Sequence, residues 1–211
     1  MDRDNDAAVV NTHFRQTLLA INQVLGDKAA MDIYFAANLE NFSTALLADN
    51  MGKTFNGYDY ARILETIEIT YGDRGPRILR RIGKESFHIV LREQPGWMNT
   101  GKRVFKLWSA NQRSQFMLEA IVESQRKIYP NHEIWMEEKN GELAYIEQNC
   151  LVCYGRKSSH PVCHLTTGFI KEAIHWASDV DFEVRETSCT AMEDAYCRFV
   201  IAKSTATSQS T

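Results

Sequence analysis

Three cysteines and one glutamate close to the C-terminus, Cys163, Glu186, Cys189 and Cys197, constrain this chain more than any other feature. Strand periodicity over residues 181–186 puts Phe182, Val184 and Glu186 on one face and Glu183 and Arg185 on the other. A carboxylate thus falls on the apolar side. The same rule over residues 195–201 groups Ala195, Cys197, Phe199 and Ile201, so a thiol also points inward, and Cys189 lies in the turn between the two strands. An unpaired buried carboxylate is costly, and a cation that takes Glu186 together with deprotonated thiols removes that cost.

Pro161 suits a first helical position, and Leu165, Phe169, Ala173 and Trp176 recur at helical spacing. This puts Cys163 in the first turn of a helix, where the dipole favours a thiolate. Three sulfurs and one oxygen suit zinc better than magnesium or calcium, and four protein ligands with no open position make a structural site. Arg185, Arg198 and Lys171 are placed to offset the excess negative charge. His160 and His164, which flank Cys163, are candidates for a substitute ligand or a supporting hydrogen bond. The competing reading is that these cysteines are small buried residues without a metal. The spacing is not one of the common finger patterns, and Cys150 and Cys153, in a C-x-x-C arrangement, compete as a ligand pair.

The order cysteine, glutamate, cysteine, cysteine, with steps of 23, three and eight residues, resembles the signature of the 4-vinyl reductase domain family. It is similar to the zinc site in the sensor domains of phenol-responsive bacterial regulators. Residues 184–191 and 197–201 carry the same likeness, and Glu193 departs from it by standing where many members have glycine. The resemblance covers the last third of the chain. It implies an α+β fold in the superfamily of Golgi-transport tethering subunits, a homodimer, a structural zinc, and an apolar pocket beside it. It also implies a non-enzymatic module binding an apolar or aromatic molecule such as a tetrapyrrole or its precursor, in pigment synthesis or photosystem assembly. The alternatives it leaves are a reductase or accessory subunit acting on tetrapyrrole vinyl groups, and a protein–protein adaptor. The histidine and tryptophan that grip the hydroxyl in the phenol sensors would fall near Ser114 and Glu142, which speaks against phenol specificity.

With 211 residues and 44% hydrophobic content the chain can bury a sizeable core. We expect one domain over residues 1–203, with a helical part (1–130) and a zinc-containing part (131–203), followed by a disordered polar tail (204–211). A formal charge of -3 gives no general argument for nucleic acid. Five cysteines, an acidic N-terminus and no membrane-spanning run lead us to expect a cytoplasmic protein, with peripheral membrane contact left open.

Val10, Phe14, Leu18, Ile21 and Leu25 keep a helical stripe that Gly26 ends. A second helix is expected over residues 28–47 with Met31, Phe35, Leu39 and Phe42 inward, then a loop over residues 50–57. A third helix carries Tyr60, Ile63, Leu64 and Ile67, and residues 72–76 break it. The helix over residues 77–92 bears Arg77, Arg80, Arg81 and Lys84, which reads as a solvated face or as a docking patch for an anion.

A long helix is expected over residues 103–128. Trp108 and Phe116 stand eight apart on it, and aromatic side chains often line apolar pockets. Residues 133–138 and 142–149 alternate around a Lys-Asn-Gly turn, which predicts a hairpin. Helices packed on an antiparallel sheet made from this hairpin and the C-terminal strands define an α+β class. The expected pocket lies between the long helix and the sheet, with Trp108, Phe116, Trp135, Tyr145 and Trp176 as its walls. No dinucleotide fingerprint, phosphate loop or paired-histidine motif is present, so nothing in the sequence argues strongly for catalysis.

Overall fold

The computed structural model of the protein describes residues 8–39, 49–93, 108–139 and 142–203. Six helices and two antiparallel sheets make up these residues. A short strand β1 (Ala8–Val9) leads into α1 (Asn11–Leu25) and α2 (Asp27–Ala36). Strand β2 (Phe55–Asn56), paired with β1, leads into α3 (Gly57–Tyr71) and α4 (Gly75–Glu93). Helix α5 (Ala110–Ile128) precedes the hairpin β3 (Ile134–Lys139) and β4 (Glu142–Glu147). After a 3-10 turn (Leu151–Cys153) come α6 (His164–Ser178), β5 (Phe182–Ser188) and β6 (Cys197–Lys203). The larger sheet runs β3-β4-β6-β5, antiparallel throughout. The α+β class read from the sequence is therefore the observed one.

Local signals explain where several elements begin and end. Gly26 closes α1 with φ +80°, a value that costs glycine little. The Asn56 side chain caps α3 by accepting the Asp59 N–H at 2.9 Å, and Ser109 with Gln112 forms a capping box at the start of α5. That cap places the start at Ala110, later than the 103 expected from periodicity. Trp108 therefore precedes the helix instead of lying on it.

Helix α2 also departs from expectation. It ends at Ala36, and its buried stripe is Ala30, Ile33 and Tyr34. Met31 (52% exposed) and Phe35 (70% exposed) face outward, while Leu39 is buried beyond the helix end. Ten residues supply only one narrow apolar stripe, and packing against α1 and α3 chose Ile33 and Tyr34 for it. Phe42 lies outside the described residues, as do residues 94–107, the hairpin tip and the tail. On α4, Arg77, Arg80, Arg81 and Lys84 are all exposed, and Lys84 pairs with Glu172 at 3.0 Å.

The sheet turns Tyr145, Phe199, Ile201, Val184 and Phe182 toward the helices, and these join one continuous apolar cluster with α1, α3, α4, α5 and α6. Ala144, Ile146 and Val200 form a small separate cluster on the opposite face, covered by Trp135 and Tyr196. Ala195, expected inward, is exposed and precedes β6.

The closest approach between helices is between α4 and α6. A Cβ on Gly83 would stand 2.0 Å from the Leu165 carbonyl oxygen, and one on Gly168 would stand 2.1 Å from that of Arg80. Both glycines are required by this contact, since a side-chain atom cannot occupy backbone space. This crossing fixes α6, and with it Cys163 at the helix start, against the rest of the helical layer.

Candidate functional site

Four pieces of the C-terminal segment converge on one buried cluster. Cys163 is the residue immediately before α6, one step outside the first turn expected from the sequence. Glu186 points inward from β5 by strand alternation. Between Glu186 and Ser188 the β5–β6 register shifts, and this irregularity re-aims the chain so that Cys189 enters the cluster. Cys197 begins β6, opposite Glu147 of β4. The turn between Cys189 and Cys197 is held by the Cys189 N–H, which donates to Asp194 Oδ2 at 2.8 Å. Glu193 sits in that turn at φ +67°, the left-handed region where glycine is at ease.

One donor atom from each of Cys163, Glu186, Cys189 and Cys197 lies within 4.8 Å of the others. The Cys163 Sγ stands 3.8 Å from those of both Cys189 and Cys197. Glu186 Oε2 accepts the Cys163 N–H at 2.7 Å, while Oε1 is buried without a hydrogen-bond partner. Burial, and next the neighbouring Cys189, pushes the Glu186 carboxyl up to about 9. Burial also pushes the Cys163 thiol well up. An orphaned carboxylate oxygen among buried sulfurs is a donor set that a divalent cation satisfies.

Cys150 and Cys153 belong to the same cluster. Cys150 Sγ lies 3.7 Å from that of Cys163, and Cys153 Sγ 3.5 Å from that of Cys197. All five thiols are free and buried. The histidines flanking Cys163 do not take part. His160 is exposed, and His164 Nε2 is 3.6 Å from Glu68, whose other partner is Arg156. Arg185, Arg198 and Lys171 pair instead with Glu183, Glu137 and Asp181.

On the other side of the Leu151–Cys153 turn lies a cavity of about 190 Å³, walled by α1, α4, α5, α6 and β4. Its apolar wall includes Phe87, Leu91, Ile121, Leu151, Val152 and Phe169. Tyr145 is the one expected wall residue that lines it. The other four are placed elsewhere. Trp108 and Phe116 pack on each other, ring centroids 5.5 Å apart, with Phe116 39% exposed. Trp135 pairs with Ile146 across β3–β4, on the far face of the sheet. Trp176 packs edge-on against Phe87, outside the cavity lining. The pocket is thus bounded mainly by helices, because α1 and α4 come between the long helix and the space that the hairpin pattern alone would assign.

The polar groups at the cavity were not foreseen. His13 Nδ1 is 3.0 Å from Tyr129 Oη, which accepts the Val10 N–H at 3.2 Å. Thr17 Oγ1 and Tyr60 Oη are 2.9 Å apart, and Tyr145 Oη donates to Glu147 Oε2 at 3.3 Å. Burial pushes His13 down to about 4 and Tyr60 up to about 12. It also raises Glu147 to about 7, with the nearby Cys153 adding to the shift. The one sequence signal for this wall was His13, Gln16 and Thr17 at i, i+3, i+4 beside the Phe14–Leu18–Ile21 stripe, polar residues on a buried side.

Comparison with known proteins agrees with this description. The family model for the 4-vinyl reductase domain matches residues 145–203, the stretch that runs from β4 to the end of β6 and holds Glu186 and all the cysteines. That segment belongs to the 4-vinyl reductase domain family, as its cysteine spacing suggested. An uncharacterised protein of Methanocaldococcus jannaschii is 36% identical over 69 residues, which is 32% of this chain and 30% of that relative's length.

Over most of the chain the fold is that of H-NOX domains. The Fe(II) unliganded H-NOX protein from K. algicida superposes with a TM-score of 0.60 at 17% identity, covering 92% of this chain and 96% of that one. The S. oneidensis H-NOX protein in its Fe(II)NO ligation state gives 0.56 at 11%, covering 89% and 97%. These likenesses show the α+β fold alone. Among the described residues, no helix is long and apolar enough to cross a membrane.

Proposed function

We propose that this chain is a non-enzymatic binding module of one domain, in which a structural zinc at Cys163, Glu186, Cys189 and Cys197 holds the C-terminal segment beside a small-molecule cavity. The observation that carries the reading is the cavity itself: a space of about 190 Å³ with a mostly apolar wall and a few convergent polar groups. A cavity of roughly 150 Å³ is enough to take benzene. The size suits a single aromatic ring, with Tyr129, Glu147 or Tyr60 to meet a polar substituent.

Zinc is supported by the donor chemistry of three thiolates and one carboxylate, with the Glu186 Oε1 atom otherwise unsatisfied. Bound there, the ion supplies charge compensation. The protein's groups do the rest: the Cys163 N–H fixes the carboxylate, and Asp194 holds the Cys189 loop. A homodimer, protein partners and a cytoplasmic setting remain parts of this reading that rest on the family resemblance.

The H-NOX fold raises a second ligand class, since one solved relative is described by its heme distortion, and His13 lines the cavity. The space does not fit it. Pockets for drug-sized ligands run from roughly 300 Å³ upward, and a tetrapyrrole is larger than most such ligands. No role is assigned to His13 as an iron ligand.

The test is a thermal-shift and calorimetric series with benzene, phenol, 2-naphthol and hemin. Single-ring compounds should stabilise the protein and the larger ones should not. Ile121→Trp, which fills the cavity, should abolish the effect with metal content unchanged, whereas Trp108→Ala should leave it intact. Equal binding by wild type and Ile121→Trp would overturn the cavity assignment, and a Soret band with hemin would restore the tetrapyrrole reading.

A further inference from the structure

Cys150 and Cys153 are left over once a single ion is assigned to Cys163, Glu186, Cys189 and Cys197. They are not bystanders in the geometry. The six donors sort into two four-atom sets, Cys163, Glu186, Cys189, Cys197 and Cys150, Cys153, Cys163, Cys197, each mutually within 4.8 Å. The sets share Cys163 and Cys197. We propose that the cluster is a binuclear zinc-thiolate centre, in which the sulfurs of Cys163 and Cys197 bridge two tetrahedral ions. Glu186 and Cys189 complete one ion, and Cys150 and Cys153 complete the other. This rests on the reading that the first set holds zinc.

The geometry is that of two tetrahedra joined along an edge. A tetrahedral ion with bonds of about 2.3 Å separates its sulfurs by roughly 3.8 Å. The shared edge, Cys163 to Cys197, measures 3.8 Å. Cys189 stands 3.8 Å from Cys163 on one side, and Cys150 stands 3.7 Å from Cys163 on the other, with Cys153 3.5 Å from Cys197. The six atoms do not collapse into one set, as terminal ligands on opposite sides of a shared edge should not.

Charge favours the second ion. One divalent ion on four anionic ligands leaves a net charge of about -2 and strands two neutral thiols against the bridging sulfurs. A second divalent ion takes up Cys150 and Cys153 as thiolates and releases their two protons, so four positive charges face six negative and the net is again about -2. The buried charge does not grow. Thr190 supports the bridging side: its Oγ1 lies 3.0 Å from Cys153 Sγ and 3.5 Å from Cys197 Sγ, and its N–H donates to Cys197 Sγ at 3.4 Å. Hydrogen bonds of this kind spread thiolate charge.

The local chain is also shaped for the task. The turn Leu151–Cys153 brings the thiols of residues 150 and 153 to one side, while Leu151 and Val152 between them line the cavity. The second ion would therefore fasten one wall of the cavity to the cysteine cluster.

The experiment is native mass spectrometry with elemental analysis of the full chain purified with zinc, repeated on the cobalt(II)-substituted protein by electron paramagnetic resonance. Two zinc ions per chain are expected, falling to one in the Cys150→Ser/Cys153→Ser double variant. Two cobalt ions bridged by thiolates should couple and quench the signal given by an isolated high-spin ion. One zinc in both proteins would overturn the second site and leave the single-ion reading standing. Two uncoupled cobalt ions would overturn the bridge, and no metal at all would overturn both readings. If the double variant fails to fold, the wild-type stoichiometry and the cobalt spectrum still decide.

Discussion

The cysteine cluster and the cavity share the turn Leu151–Cys153, yet they are assembled in opposite ways. The cluster draws its donors from Cys150 to Cys197, inside one segment that matches a single family. The cavity draws its wall from Val9 to Ile170, across five elements. A metal site needs few atoms at fixed separations, so a hairpin, a turn and a helix start can supply it. A cavity is a space that packing leaves unfilled, and it exists only once every helix around it is placed. The two regions should therefore fail differently when they are damaged.

The largest effect is expected at the helix crossing. Gly83→Ala or Gly168→Ala drives a methyl into the facing backbone, and overpacking of this severity should cost about 3 kcal/mol or more. Chemical denaturation should show it, and ligand binding should be lost, since α4 and α6 both wall the cavity.

Next comes Cys197→Ser, which removes a donor common to both four-atom sets. Metal content should fall, with a stability loss of about 2–4 kcal/mol. Full metal occupancy in this variant would show that Cys197 is not a ligand.

A smaller effect belongs to the cavity. His13 is held down to about 4 by burial, against about 6.5 in the unfolded chain. Between these values the unfolded chain binds a proton that the native protein does not. His13 thus contributes fully above about 6.5, and its contribution is lost as pH falls toward 4. The side chain is half-buried, so the loss is on the order of 1 kcal/mol after allowing for solvent screening. Metal also leaves thiolates at low pH, in wild type and variant alike. The quantity to measure is therefore the difference in urea midpoint between wild type and His13→Gln at pH 7.5 and pH 5, and an unchanged difference would remove His13 from the acid response.

The smallest effect is a gain. Glu193 at φ +67° sits where many sequences of the family have glycine. Glu193→Gly should relieve a left-handed residue and stabilise by about 0.5–1 kcal/mol, with metal content unchanged. No gain in melting temperature would mean that Glu193 makes a compensating contact.

Local rules accounted for much of this molecule. The α1 stripe from Phe14 to Ile21, the inward placement of Phe182 and Val184, the order of hairpins in the sheet and the approach of Cys163 to Cys197 all follow from patterns of two and 3.6, because each concerns neighbours along one element. Other features were decided by packing between elements. Whether Met31 or Ile33 faced the core depended on where α1 and α3 stood. Trp135 looked like a pocket wall until the register of β3 on β4 put it on the far face, and a capping box left Trp108 outside its helix.

Gly83 and Gly168, 85 residues apart, have no local feature that pairs them, and nothing in the spacing of His13, Tyr60, Tyr129 and Glu147 announces a common space. The sequence by itself determined the class of fold and the donors that can meet a metal, since composition and periodicity act over a few residues. Only the tertiary structure decided where the cavity opens and that Cys150 and Cys153 join the cluster, because those depend on distances between elements that the chain sets only when it is packed.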